Sequence, residues 1–451
     1  MKIATKKIAA CAILALATGL FYQESARAAI PIQQWKASNG AQVYLVESHA
    51  IPMVDVQIDF DAGGRRDPAD KAGLASVTAA QASSGVAARG AEPGLDENAL
   101  GEAWADLGAS FGGSAGSDRM SFGLRSLSEP GLLAKAAQLA ARQLGEPAFP
   151  EAMWLRDRER MAASIRQANT RPSTLAGRAY AAAVYGSHPY GFEVTEATLA
   201  RISVNDMKAL HRSLVEPCRA KISIVGDVTR AQAQTLVNTL LSRLRLTVPA
   251  RCAPLPPVAE VAPLAAADLR NIPFESAQAH VLMGQPGYKR TDPDFFALTV
   301  GNYILGGGGF VSRLSSEVRE KRGLSYSVYS YFSPGLHAGA FTVGLQTRPD
   351  QARQAVEVVR QVIQTFVAGG PTDAELQAAK DNLIGGFALR IDSNRKLLDN
   401  VANIAWNKLP LDYLDSWTQQ VEKVTVADIK AAFRAKLQPE KMVTVILGAT
   451  P

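Results

Sequence analysis

Along the chain, segments with the apolar pattern of β-strands alternate with segments whose apolar residues recur at helical spacing. Short β-rich runs occupy residues 42–46, 54–60 and 120–124, and again residues 280–283 and 340–345. Long stretches of alanine and leucine at helical spacing separate them, notably at 132–144 and 352–366. Strands interleaved with helices in this order predict an α+β fold, in which each sheet is mostly antiparallel and covered by helices.

One segment of the sequence occurs twice at a constant offset of 222 residues. Residues 203–226 align without a gap to residues 425–448, so that Pro217 is matched by Pro439. In each copy a Ser or Thr, with an Asp three positions later, begins a helix, a proline ends it, and a β-rich run follows. This many ungapped matches indicate a tandem duplication.

The beginning of the chain has the order of a cleaved secretory signal. Three lysines come first, an apolar run follows at 8–21, and Ala26-Arg27-Ala28 supplies the small residues of a cleavage site. The apolar run is shorter than the roughly 20 residues needed to cross a bilayer. We therefore expect a signal peptide over residues 1–28, export to the periplasm, and no membrane span after cleavage.

Removal of this leader leaves about 420 residues, which is too long for a single hydrophobic core. The duplication predicts an N-terminal domain over residues 29–241 and a C-terminal domain over residues 264–451. The segment 242–263 between them is rich in proline, which is typical of a linker.

Charge and cysteine content narrow the function further. The formal charge of the whole chain is +6, and it falls to about +3 without the leader. Basic and acidic residues are interspersed, which argues against a nucleic-acid surface. Two cysteines outside the leader, Cys218 and Cys252, form either a disulfide or two separate thiols, and the sequence leaves both alternatives open.

Two motifs carry a family resemblance. Residues 302–314 are Asn-Tyr-Ile-Leu-Gly-Gly-Gly-Gly-Phe-Val-Ser-Arg-Leu, and residues 317–328 are Glu-Val-Arg-Glu-Lys-Arg-Gly-Leu-Ser-Tyr-Ser-Val. Together with His188-Pro189-Tyr190-Gly191, these runs resemble the pitrilysin/insulinase family of zinc metallopeptidases. The resemblance implies two homologous tandem domains that form half of a clamshell.

Members of that family carry an inverted zinc motif, His-x-x-Glu-His, on a helix after a Gly-Leu-Ala sequence. That sequence is present at 73–75, but positions 76–80 are Ser-Val-Thr-Ala-Ala. Ser76 and Ala80 therefore replace the two histidines, and Ala79 replaces the catalytic glutamate. By this resemblance the chain lacks the ligands of the family's zinc site.

The third ligand of the family is a glutamate on a later helix. Our best placement in the segment 156–167 puts Ser164 at this position, with Glu159 as the alternative. Independently of any resemblance, a helical zinc motif needs two imidazoles one turn apart. No two of the five histidines lie within five residues of each other; they are His49, His188, His211, His280 and His337. We expect no cofactor in this chain.

The family's second half contributes an arginine and a tyrosine to the active site, seven residues apart. Both are present as Arg319 and Tyr326. By resemblance, the Tyr326 hydroxyl would donate a hydrogen bond to the oxyanion, and Arg319 would bind the substrate. Without the surrounding motif they would be an ordinary surface charge and the start of a β-rich run.

Four consecutive glycines, Gly306, Gly307, Gly308 and Gly309, precede this pair. A phosphate-binding loop is disfavoured because the Gly-Lys-Ser/Thr ending is absent. A tight turn that lets the following helix pack closely is one interpretation. By resemblance to noncatalytic members of the family, a loop that handles substrate is another, and we predict substrate binding here.

The favoured hypothesis is a noncatalytic subunit of a periplasmic heteromeric zinc endopeptidase. Its partner would be a homologous subunit that holds the zinc, and its substrates would be peptides. The alternative is a catalytically inert scaffold that binds peptides or assists assembly. A serine or cysteine hydrolase on this scaffold is disfavoured.

Overall fold

The computed structural model describes residues 30–245 and 252–449. The predicted signal peptide lies outside the described residues, as do residues 246–251 of the predicted linker. Within the described ranges, no helix is both long enough and apolar enough to cross a membrane. Two mixed sheets, one from each half of the sequence, confirm the predicted α+β class.

The first sheet has six strands in the order β1-β2-β8-β3-β7-β6. Only the β2–β8 pair is parallel. A short hairpin of β4 and β5 lies apart from it. The strands are β1 Gln33–Lys36, β2 Gln42–Glu47, β3 Met53–Phe60, β4 Gly85–Val86, β5 Leu95–Asp96, β6 Ser110–Ala115, β7 Met120–Leu127 and β8 Lys221–Gly226.

The second sheet has five strands in the order β11-β12-β10-β13-β9. Its β13–β9 pair is parallel and the others are antiparallel, which repeats the arrangement of the first sheet. The strands are β9 Asp268–Ile272, β10 Ala279–Pro286, β11 Val328–Phe332, β12 Ala340–Thr347 and β13 Val443–Leu447.

Helices follow the same duplication. The predicted N-caps Ser203 and Thr425 are confirmed, because each forms a reciprocal capping box with the Asp three residues later. The helices of the first half are α1 Leu74–Gln81, α2 Glu97–Asp106, α3 Pro130–Gly145, α4 Glu151–Ala168, α5 Pro172–Tyr185, α6 Glu196–Arg201, α7 Val204–Leu214 and α8 Arg230–Leu241. Those of the second are α9 Phe295–Asn302, α10 Ala352–Gly369, α11 Asp373–Gly385, α12 Asn394–Asn407, α13 Tyr413–Lys423 and α14 Val426–Lys436.

The two halves exchange one helix each. Helix α5 comes from the first half but packs on β10 and β13 of the second sheet, whereas α12 comes from the second half and packs on β8 and β3 of the first. The Tyr180 hydroxyl of α5 donates to the Phe341 carbonyl oxygen at 2.9 Å. In return, Lys221 Nζ of β8 donates to the carbonyl oxygens of Ala405 and Trp406 on α12, at 3.1 and 2.9 Å. Each sheet is thereby covered on one face by the other half.

An ion pair anchors the segment between the glycine run and Arg319. Arg313 donates to both carboxylate oxygens of Glu375 at 2.6 and 2.7 Å. Glu375 also closes the capping box of α11 with Thr372. The Arg313 guanidinium lowers the pKa of Glu375 to about 2, and burial opposes this only in part. Arg313 also donates to the Gly370 carbonyl oxygen, so it holds this segment against two turns of the second half.

A disulfide resolves the alternative that the sequence left open. Cys218 and Cys252 are bonded, with their Cα atoms 5.7 Å apart. Cys218 lies in the short turn before β8, and Cys252 lies in the proline-rich segment. The bond therefore ties that segment to the first half.

Replacing both cysteines with serine should lower the free energy of unfolding by about 3 kcal/mol. Without the bond, the unfolded chain has more conformations, and folding loses more conformational entropy. Urea unfolding followed by circular dichroism measures this difference. Dithiothreitol should bring the wild type to the stability of the double variant and leave the variant unchanged. Two free thiols titrated in the denatured, unreduced wild type would contradict the prediction.

Glu375→Gln should destabilise the protein by about 1 kcal/mol at pH 7, since an ion pair at a partly exposed site is lost. The folded pKa of Glu375 lies below the unfolded value of 4.5, so its contribution is present above pH 4.5 and is lost as pH falls toward 2. Urea unfolding at pH 7 and pH 3 should therefore show the difference from wild type shrinking at the lower pH.

The control is Asp373→Asn, an exposed carboxylate in the same helical turn. Asp373 has no ion pair among the described residues, so we expect its replacement to change stability by about 0.5 kcal/mol or less. A Glu375→Gln effect that is equally large at both pH values would contradict the assigned role.

Candidate functional site

Helix α1 carries the positions of the missing zinc motif. It begins after Gly73, whose φ of 102° lies in the left-handed region. The Asp67 carboxylate accepts hydrogen bonds from the Gly73 and Ala75 amides, both at 2.9 Å, and so caps the first turn. Ser76 and Ala80 lie one turn apart on the exposed side of the helix. The backbone geometry for a pair of ligands is thus retained, but the ligands are absent.

The position of the catalytic glutamate is buried. Ala79 is fully buried, and edge strand β6 crosses it so closely that a Cβ on Gly113 would lie 2.6 Å from the Ala79 carbonyl oxygen. The Ser76 hydroxyl is 3.3 Å from the Ala115 carbonyl oxygen, at the end of the same strand. A hydroxyl and two methyl groups replace two imidazoles and a carboxylate, so the residues on α1 do not fit a zinc ion.

Helix α4 corresponds to the predicted helix of the third ligand. Ser164 is exposed and donates its hydroxyl to the Arg160 carbonyl oxygen of its own helix at 3.0 Å. Glu159 is also exposed and pairs with Arg166. The carboxylate of α4 that reaches α1 is instead Asp157, which accepts a hydrogen bond from Gln81 Nε2 at 2.7 Å.

The sequence interpretation missed Asp157. Burial raises its pKa, but hydrogen bonds from Arg156 and Gln81 outweigh this effect, and its pKa is lowered overall. The signal that could have identified it is its spacing, because it lies three residues after Trp154 on the buried side of α4. Its oxygens are already bound by Arg156, Arg160 and Gln81, and this donor set does not favour a metal cation.

Arg319 and Tyr326 lie close together. Arg319 lies in the helical turn Ser315–Glu320, and Tyr326 precedes β11 by two residues, slightly before the strand that the sequence predicted to begin there. The Arg319 guanidinium carbon lies 5.4 Å from the Tyr326 ring centroid and 4.3 Å from that of Phe310. Both distances are within the range of a cation–π interaction.

The two aromatic rings of this group are strongly exposed, whereas Arg319 is partly buried. Tyr326 is 82% exposed and Phe310 is 63% exposed. Within the described part of the chain, the Tyr326 hydroxyl has no hydrogen-bond partner and Arg319 has no carboxylate partner. Both groups can therefore contact a molecule that arrives from solvent.

The four glycines divide into a packed end and an open end. Gly306 is buried, and a Cβ there would clash with the Ser330 side chain and backbone on β11, which supports the packing interpretation. Gly309 has a φ of 63° and open space around its Cα, and it is exposed beside Phe310. Contact of this open end with substrate stays a prediction.

A cavity of about 460 Å³ adjoins Tyr326, and we refer to it as the Tyr326 cavity. Ser173 at the start of α5 forms one wall, from the first half of the sequence. His280 of β10 and Gln346 of β12 form the opposite wall, from the second half. The exchange of α5 between the halves thus creates this cavity.

Two histidines that are distant in sequence meet at the junction of the halves. The ring centroids of His188 and His337 are 5.1 Å apart. His188 Nδ1 accepts the Tyr190 amide hydrogen, so Nε2 donates to the Ala259 carbonyl oxygen at 3.0 Å, and burial lowers its pKa. His337 Nδ1 lies 3.1 Å from a carboxylate oxygen of Glu260. These rings join the linker to both halves and leave no convergent metal site.

Among the described residues, the one group of metal-binding side chains close enough to share an ion is Glu216 with the two bonded cysteines. A disulfide supplies no thiolate, so this group does not fit a zinc ion either. That this chain holds no zinc stays a prediction.

Comparisons with known proteins agree with this geometry. A family model described as "Peptidase M16 inactive domain" matches residues 201–383. The crystal structure of a peptidase M16 inactive domain from Pseudomonas fluorescens has a TM-score of 0.86 and 33% sequence identity, and the match covers 93% of this chain and 98% of that one.

The alignments with two curated relatives differ in length. An uncharacterized zinc protease of Streptomyces coelicolor is 29% identical over 272 residues, and the alignment covers 59% of each chain, less than two thirds of that relative. The non-peptidase homolog YmxG of Helicobacter pylori is 24% identical over 441 residues, which cover 96% of this chain and 95% of that protein. The chain belongs to the peptidase M16 family, the family of pitrilysin and insulinase, as a noncatalytic member.

Proposed function

We propose that this chain is the noncatalytic subunit of a heteromeric zinc endopeptidase in the periplasm. The observation that carries the proposal is the convergence of Arg319 and Tyr326, with free polar groups, in a chain whose α1 has lost its ligands. The homologous partner subunit would hold the zinc ion. This chain would supply groups that bind the peptide and stabilise the oxyanion.

The chemistry of the pair supports this role. A tyrosine hydroxyl is a neutral donor that can stabilise negative charge on the carbonyl oxygen of a peptide bond under attack. The guanidinium of Arg319 is held between two rings, so little conformational entropy is lost when it binds a backbone carbonyl or a carboxylate. Binding and oxyanion stabilisation thus come from two side chains that already lie in contact.

A partner is needed because the pair is exposed. Hydrogen-bond donors stabilise a transition state strongly only where water is excluded and the local dielectric constant is low. A side chain that is 82% exposed does not meet this condition in the isolated chain. A second subunit that closes over Tyr326 would remove the water and complete the site.

Two observations support the proposed periplasmic location. The leader at 1–28 has the composition of a secretory signal. The disulfide between Cys218 and Cys252 is typical of proteins in oxidising compartments and rare in the cytosol.

A scaffold without a catalytic role is the second candidate. Similarity to a peptidase M16 inactive domain and to a non-peptidase homolog favours it. A scaffold would bind peptides or assist assembly, and its activity would not depend on the Tyr326 hydroxyl. Replacement of that hydroxyl therefore distinguishes the two functions.

The first test is reconstitution with a zinc-bearing relative from the same cell. We expect cleavage of a long fluorogenic peptide by the mixture and little by either chain alone. Tyr326→Phe should reduce the turnover of the mixture about 100-fold, because an oxyanion donor is lost. Tyr331→Phe is the matched control, since Tyr331 lies on edge strand β11, which follows Tyr326, is exposed and is not assigned a role; it should leave turnover unchanged.

A mixture that is no faster than the zinc-bearing chain alone would overturn the shared active site. If the mixture cleaves the peptide rapidly but Tyr326→Phe does not change its turnover, the scaffold function is supported instead. Cleavage by this chain alone, abolished by a chelator, would show that the assignment of its missing zinc site is wrong.

The second test concerns metal binding. Ser76→His combined with Ala80→His places two imidazoles one turn apart on the exposed side of α1, so the double variant should bind zinc about tenfold more tightly than Ser76→His alone. Isothermal titration calorimetry of the purified chain measures both. A wild-type chain that binds zinc as tightly as the double variant would contradict the account of α1.

A further inference from the structure

The Tyr326 cavity has an uncharged lining. Within the described chain, no Asp, Glu, Lys or Arg side chain contributes to it. Its polar groups are neutral and include the amides of Gln278 and Gln346. Burial lowers the pKa of His280, so this imidazole is neutral at pH 7. The cavity therefore offers hydrogen bonds without a charge.

Apolar and aromatic surfaces complete the cavity. Leu282 of β10 lies among the lining residues, and the rings of Tyr326 and Tyr329 form part of the wall. Tyr329 lies over the backbone of Gly344, where a Cβ would lie 2.5 Å from its hydroxyl oxygen. Because a side chain at position 344 would displace this ring, the glycine keeps Tyr329 flat on the sheet. Aromatic rings in such a wall stack favourably on another aromatic ring.

Size and charge together limit the occupant. A volume of about 460 Å³ exceeds what small aliphatic side chains fill, and it is within the range of sites that bind small organic groups. A charged group would lose its hydration without gaining an opposite charge, which disfavours it strongly. A large aromatic side chain gains apolar contact from Leu282 and the tyrosine rings, and a polar edge can reach Gln278 or Gln346.

We propose that the Tyr326 cavity is a subsite for a large uncharged side chain of the peptide substrate, with a preference for aromatic residues. Tyr326 is both a wall of the cavity and the group assigned to the peptide backbone, so one bound peptide can reach both. This inference rests on the proposed function for the identity of the ligand as a peptide. It adds the specificity that this chain would give to the complex.

The experiment uses the purified full chain alone and peptides of the form acetyl-Gly-Gly-Gly-Xaa-Gly-Gly-Gly-amide, in which Xaa is Trp, Phe, Ala, Lys or Glu. Saturation-transfer NMR with titration gives the affinity of each peptide. The Trp and Phe peptides should bind about tenfold more tightly than the Ala peptide, because one aromatic side chain is buried. The Lys and Glu peptides should bind no better than the Ala peptide.

Gln346→Trp and Gln278→Trp each place a large ring in the cavity and should remove the aromatic preference. Gln364→Trp is the matched control, since Gln364 is exposed on α10 and does not line the cavity; it should keep the preference. Circular dichroism and thermal unfolding establish that the variants are folded. Equal affinity for all peptides, absence of saturable binding of the Trp peptide, or preference for a charged residue would overturn the proposal.

The two proposals can fail separately. Aromatic preference in the isolated chain, without any gain of activity on mixing with a zinc-bearing subunit, would support the subsite and overturn the shared active site. Loss of turnover in Tyr326→Phe, in a complex that cleaves peptides without aromatic preference, would support the shared active site and overturn the subsite.

Discussion

The exchange of α5 and α12 between the two halves is the constraint on which the rest of the structure depends. Strands β8 and β13 are buried on both faces, and each obtains the cover of one face from a helix of the other half. Neither half can therefore bury its own sheet completely. Hydrogen bonds also cross the junction: Lys221 of the first sheet donates to a backbone carbonyl of α12, and the Tyr180 hydroxyl of α5 donates to a backbone carbonyl of the second sheet. Separating the halves would break these hydrogen bonds and leave their polar groups without partners.

Loss of the zinc site involves more than the replacement of ligands. Ala79 is fully buried, so a glutamate restored there would have to displace its neighbours. Arg156, Arg160 and Gln81 bind the oxygens of Asp157, the carboxylate of α4 that contacts α1. Burial and charge around α1 thus disfavour a metal ion in addition to the absence of ligands.

The helices and strands could be predicted from the sequence because helix caps, prolines and apolar periodicity act over a few residues. The capping boxes at Ser203 and Thr425 are examples. The exchange of α5 could not be predicted in the same way, since its apolar face would suit either sheet. The third ligand position was placed at Ser164 because it precedes an apolar residue in the segment 156–167, whereas the contact with Gln81 shows that Asp157 is the carboxylate that reaches α1. Phe310 was missed because its place over Arg319 depends on the turn through Gly309.

The exposure of Tyr326 beside Arg319 is not explained by a contribution to stability. A tyrosine that is 82% exposed buries little apolar area, and a cation stacked between exposed rings contributes about 1 kcal/mol or less to stability. Folding of the second half depends instead on contacts such as the pair of Arg313 with Glu375. An ordered cation and an unbonded hydroxyl lie side by side next to an uncharged cavity. In the proposed shared site, a surface that excludes water would strengthen the hydrogen bonds that both groups donate.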